Sequence, residues 1–184
     1  MIRSDKMTIK TQEVLEETQG IATSMGHNAI EPDHLLRALL DQEGGVVTPV
    51  LQKIGVNLPQ IRERVAASLK KLPQVSGDTE VYVSSALDRV LDAAQKEADK
   101  LKDDFVSTEH LLLGILADKG NEAARILTEN GVTRELVLSA LKDIRGGERV
   151  LPGIVGSSGP RKDAEPLKKG RSPSRWNLLL SPPP

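Results

Sequence analysis

Cysteine is absent from all 184 residues, which excludes a disulfide framework, a thiol nucleophile and a thiolate zinc site and suits a reducing cytoplasm. Aromatic residues are scarce, the three being Tyr82, Phe105 and Trp176. Base stacking therefore has little to work with, and a core has to be built from Leu, Ile, Val and Ala, a palette suited to packed helices. No run approaches the roughly 18 to 20 consecutive apolar residues of a membrane helix. The start, Met1-Ile2-Arg3-Ser4-Asp5-Lys6-Met7, also lacks the apolar stretch of a secretory signal. The expectation is an all-α, cytoplasmic protein without membrane contact.

A large excess of charge is missing as well, but the formal net charge of −1 conceals two unlike parts. Residues 149–184 hold seven basic residues against Asp163 and Glu165, giving +5, so residues 1–148 carry −6. The same tail holds seven of the eleven prolines and no apolar period. Such a segment buries too little surface to offset its ordering entropy, and it reads as a disordered Pro/Arg-rich end. Without an amphipathic pattern its charge is weak support for nucleic-acid binding, and nucleic acid is not an expected partner.

What is present is self-similarity. Sliding the sequence by 76 residues pairs Val14-Leu15 with Val90-Leu91, His34-Leu35-Leu36 with His110-Leu111-Leu112, and Gly55-Val56 with Gly131-Val132. Each copy parses into four helices. Val14, Leu15, Thr18, Ile21, Ala22 and Met25 recur at helical spacing, answered by Leu87, Val90, Leu91, Ala94, Ala98 and Leu101. Pro32 suits a first helical turn, where its missing N–H would have had no partner. The third helices end at Gly55 and Gly131, and Asn57 and Thr133 are competent N-caps for the fourth. The expected organisation is one domain over 7–148, with repeat one at 8–72, a linker at 73–82 and repeat two at 83–148. Two such units should pack with approximate twofold symmetry and leave a crevice where ligands commonly sit.

Catalytic signatures are missing. The stretch nearest to a phosphate-binding loop, Gly156-Ser157-Ser158-Gly159-Pro160-Arg161-Lys162, has the wrong spacing, and no H-E-x-x-H, G-x-S-x-G or G-x-G-x-x-G occurs. Neither enzymatic activity nor a cofactor nor a metal is expected. His34 and His110 are repeat equivalents, read most simply as hydrogen-bonding residues at helix starts. The carboxylates Asp103, Asp104 and Glu109 surround the lone Phe105. They read either as a solvated loop before a helix or as an acidic rim beside an apolar patch, suited to unfolded chain with basic and apolar side chains.

The duplicated unit, with Glu31-Pro32-Asp33-His34-Leu35-Leu36 in one copy and Ser107-Thr108-Glu109-His110-Leu111-Leu112 in the other, resembles the double N-terminal repeat of the Clp unfoldases. The stretches Leu40-Asp41-Gln42-Glu43-Gly44-Gly45, Leu72-Pro73-Gln74-Val75 and Arg145-Gly146-Gly147-Glu148 are similar to the ClpB-type disaggregase branch. The resemblance implies an eight-helix domain that engages unfolded or aggregated polypeptide and hands it to AAA+ ATPase rings. It implies substrate contacts at Thr8, Asp103 and Glu109, with Leu91, Phe105 and Leu111 as apolar neighbours. The resemblance ends near residue 150, where the family continues into its first ATPase module, so the chain reads as a relative truncated before that module. The alternative is an adaptor or regulator that docks on a full-length Clp ATPase.

Overall fold

The computed structural model describes residues 2, 4–77 and 80–146; the expected tail at 149–184 and its partners lie outside them, as do linker residues 78 and 79. Among the described residues, eight α-helices form in two sets of four: α1 (Ile9–Ser24), α2 (Pro32–Asp41), α3 (Val47–Ile54) and α4 (Leu58–Leu69), then α5 (Ser85–Leu101), α6 (Thr108–Ala117), α7 (Glu122–Glu129) and α8 (Arg134–Arg145). The bounds of α2 and α6, and those of α4 and α8, differ by the same 76 residues that relate the sequence repeats. The fold is all-α, as expected.

Local chemistry fixes the helix ends. The side chains of Thr8, Asn57, Ser84, Asn121 and Thr133 each accept a backbone N–H of the first turn they precede. Gly55 closes α3 at φ +87°, a left-handed conformation that a β-carbon would oppose. At α2 and α6 the cap is reciprocal. The Glu31 N–H donates to His34 Nδ1 and the Ser107 N–H to His110 Nδ1, both at 2.9 Å, so each histidine fills the place usually taken by Glu or Gln.

The two repeats interleave. Helix α3 packs on α8 and α4 on α7, which are the same contact seen from either side of the pseudo-twofold axis, and α2 meets α6 near that axis. Ion pairs Lys53–Asp143 (3.6 Å) and Arg64–Glu129 accompany the two related contacts. One continuous apolar core results, with Leu15, Leu35, Leu36, Leu91, Leu111 and Leu112 fully buried. Helix α6 is buried from Thr108 through Ile115, which fits the unbroken apolar stretch from Leu111 to Ala117 that follows its polar first turn.

Two short parallel pairings were not anticipated from the sequence. Tyr82–Val83 (β2), at the end of the expected linker, pairs with Ala29–Ile30 (β1), and Met7 bridges to Val106. Two residues carry no readable period, so only the meeting of remote segments creates these bonds. The pairings are themselves repeat equivalents: the segment leading into each repeat's first helix adds to the other repeat, just before that repeat's second helix.

Gly114 of α6 lies against the backbone of α5. A β-carbon there would lie 2.5 Å from Val90 O and 2.9 Å from Ala94 N, both backbone atoms of α5 that cannot yield independently. Gly114→Ala is therefore expected to destabilise the protein by about 1–3 kcal/mol despite alanine's better helix propensity. A urea-unfolding midpoint equal to or above that of the parent would show that the helices have room for the methyl group.

Candidate functional site

At the first of the two crossings, the chain leading into α1 runs beside the loop that leads into α6. The Val106 N–H donates to Lys6 O (2.7 Å), and Val106 O accepts from the Thr8 N–H (3.0 Å) and from Thr11 Oγ1 (2.9 Å). Thr8 is thereby brought beside Val106 and its neighbour Phe105, although almost a hundred residues separate them in sequence. Thr8 is buried, and its hydroxyl caps α1 by accepting from the Thr11 N–H at 3.2 Å. Phe105 is half-buried, and Ile9, the first residue of α1, is 56% exposed.

The expected carboxylates divide. Asp104 is exposed, whereas the side chains of Asp103 and Glu109 are 2% and 5% accessible and both reach Arg145 near the end of α8. Arg145 Nη1 lies 3.3 Å from Asp103 Oδ2, and Nη2 pairs with Glu109. Because the Ser107 N–H donates to His110 Nδ1, neutral His110 carries its proton on Nε2, which donates to Asp103 Oδ2 at 3.0 Å. Burial lowers the His110 pKa, with Asp103 opposing the shift, and burial likewise lowers that of Arg145. Two buried carboxylates converge on one guanidinium beneath the surface. The acidic residues are thus neither a simple solvated loop nor a continuous exposed rim. Leu91 on α5 and Leu111 on α6 have no accessible surface and belong to the core.

The same positions in repeat one are chemically different. Asp103 corresponds to His27, Glu109 to Asp33 and Arg145 to Leu69, so a charged arrangement is replaced by one without a cation. His27 Nδ1 lies 2.8 Å from His34 Nε2, and buried Asp33 accepts from Ser68 Oγ. Burial raises the Asp33 pKa, and the Ser68 hydrogen bond opposes it. Without a guanidinium at position 69, a second buried carboxylate at 27 would have no counter-charge, and a neutral imidazole stands there. Sequence reasoning missed Arg145 and Ile9. Arg145 had a signal, because it is the one basic residue standing where repeat one has core Leu69.

Among the described residues no helix is long and apolar enough to cross a membrane, and no group of three or more His, Cys, Asp or Glu side chains could hold a metal ion.

These features define a class: a duplicated four-helix module whose repeats exchange leading segments at two pseudo-symmetric crossings. The Clp repeat (R) N-terminal domain matches residues 6–130. The chain is 43% identical over 148 residues to the chaperone protein ClpB of Rhodopirellula baltica, covering 80% of this chain and 17% of that protein. It is 38% identical over 150 residues to ClpB of Vibrio cholerae, covering 81% and 17%. The chain thus spans about a sixth of the length of these curated relatives. Among solved structures, the Hsp104 N-terminal domain from Candida albicans matches with a TM-score of 0.69 at 21% identity, over 80% of this chain and 96% of that one. The N-terminal domain of ClpV1 ATPase from E. coli matches with a TM-score of 0.67 at 17% identity, over 79% and 88%. At these identities the two structures speak for the fold. The chain belongs to the Clp N-terminal repeat family.

Proposed function

We propose that this domain binds polypeptide without catalysis, engaging apolar segments of unfolded or aggregated protein at the crossing of Thr8 with the 103–109 loop. The observation that carries the reading is the crossing that brings exposed Ile9 and half-buried Phe105 together beside the carboxylates Asp103, Asp104 and Glu109. Apolar contact at Ile9 and Phe105 would supply affinity, while Asp104, with Asp103 and Glu109 beneath, favours basic flanks. Thr8 holds the helix start in register with the loop, and Leu91 and Leu111 keep the floor rigid. Membership of a family that includes the N-terminal part of ClpB chaperones supports the client class. A shallow site that accepts many sequences lacks tight complementarity, so affinity on the order of micromolar or weaker is expected.

The test is a titration of the full chain with a permanently unfolded client, followed by backbone amide shifts. Shifts should cluster at residues 7–10 and 103–109. Ile9→Ser, which changes an exposed side chain, should weaken binding by about fivefold, in line with roughly 1 kcal/mol for the apolar contact removed, and should leave the unfolding midpoint unchanged. Shifts scattered evenly over the surface, or full affinity in the serine variant, would defeat the assignment. Co-sedimentation with an assembled Clp ATPase ring in the absence of client would favour the adaptor reading instead.

A further inference from the structure

The second crossing, where Tyr82–Val83 pairs with Ala29–Ile30, has chemistry of its own. Beside it lies a pocket of about 210 Å³ lined by His27, Asn28, Ala29, Glu31, Leu72, Pro73 and Tyr82. We infer that this pocket is a distinct binding site for an uncharged carbonyl oxygen carried on an extended apolar peptide, with the His27 Nε2–H as the donor that receives it. The inference rests on the reading of this domain as a polypeptide binder.

The hydrogen bonds fix where the protons are. The Glu31 backbone N–H can only donate, so His34 Nδ1, 2.9 Å away, is an acceptor and the neutral His34 ring carries its proton on Nε2. That proton points to His27 Nδ1 at 2.8 Å, which must accept it. The remaining proton of His27 is therefore on Nε2. His27 is 3% exposed, and its Nε2 is buried with no hydrogen-bond partner among the described residues. A buried donor left without an acceptor is costly, and such a group marks a place where a ligand or a water completes the structure.

The surroundings select the acceptor. The Glu31 carboxylate lines the pocket, held by Ser84 Oγ at 2.9 Å, and it disfavours a second carboxylate. No cation lines the pocket to compensate. Burial lowers the pKa of both His27 and His34, so the ring pair does not supply positive charge near neutrality. An amide carbonyl meets the donor without a charge penalty. Ala29, Leu72 and Pro73 give apolar walls, and Tyr82, 53% exposed, presents an aromatic edge that an extended peptide could cover. The first crossing cannot make this contact, because Asp103 stands in the place of His27 and is paired with Arg145.

The experiment uses the full chain labelled with ¹⁵N, titrated with N-acetyl-Val-Leu-Val-amide while imidazole and backbone resonances are recorded. The expected result is saturable movement of the His27 Nε2 signal together with the amides of Asn28, Ala29, Tyr82 and Val83. Tyr82→Ser should weaken that binding by about fivefold without moving the unfolding midpoint, through loss of aromatic contact. His27→Phe should abolish it, and the same tripeptide with a free C-terminal carboxylate should bind more weakly than the capped one. An imidazole signal that stays still at millimolar peptide would mean that water alone fills the pocket, and it would overturn the inference. The two sites fail separately. Movement confined to residues 7–10 and 103–109 removes this pocket and keeps the proposed function, whereas movement confined to 27–31 and 82–83 does the reverse.

Discussion

Arg145→Leu is expected to lower the free energy of unfolding by about 3–5 kcal/mol, the range typical for removing one partner of a buried ion pair. The variant leaves Asp103 and Glu109, both nearly inaccessible, without their guanidinium, and neutral His110 can offset little of that. Lost packing is a minor part, since leucine occupies the equivalent position in repeat one. The design of repeat one also indicates a rescue. Combining Arg145→Leu with Asp103→His and Glu109→Gln removes both carboxylates that lose the guanidinium and rebuilds the imidazole pair found at His27 and His34. The triple variant should recover most of the loss. Urea denaturation of the parent, the single and the triple variant decides the matter: a single variant within about 1 kcal/mol of the parent would show that the carboxylates are better solvated than their burial indicates.

Acidification is the second large effect. Burial, with the neighbouring His27, pulls the His34 pKa down from 6.5 to about 4. The unfolded chain therefore binds a proton that the folded chain refuses between these values. Stability from this residue is fully present above pH 6.5 and is lost progressively as pH falls towards 4, amounting to about 3 kcal/mol at 1.4 kcal/mol per pH unit. His110 is lowered too and acts in the same direction. Asp33, raised by burial, acts oppositely at the acid end, because its protonated form is favoured in the fold. The contribution of His34 is isolated by His34→Gln, which preserves the reciprocal cap since glutamine can accept the Glu31 N–H. Unfolding midpoints of the variant should fall less than those of the parent between pH 6.5 and 4, and parallel curves would remove His34 from the acid sensitivity.

These two effects locate what could be read in advance. His34 and His110 were legible as helix-start residues because a duplicated side chain beside duplicated leucines points to a shared local role. Their partners were not. Position 27 and position 103 occupy the same place in the repeat, yet one is an imidazole and the other a carboxylate, and the choice follows from whether position 69 or 145 supplies a cation on a different helix. The candidate site shows the same division. Thr8 was named only through the family resemblance, and its neighbours across the crossing are set by backbone hydrogen bonds to Val106, which an isolated bridge leaves without a sequence pattern. Leu91 and Leu111 carried the periodicity of buried positions, and the structure places them in the core, whereas exposed Ile9 passed unnoticed because one apolar residue at a helix start has no period.

The sequence by itself determined the eight helices, their caps and their duplication, since these depend on residues within a turn or two of one another. The tertiary structure alone decided that α3 of one repeat lies on α8 and that α4 lies on α7, that Arg145 meets two buried carboxylates, and that the buried His27 Nε2 is left without a hydrogen-bond partner among the described residues. Burial and pairing across long sequence separations arise only when the chain closes on itself, and the free energy of a buried charge or an unmatched N–H depends on what stands opposite it.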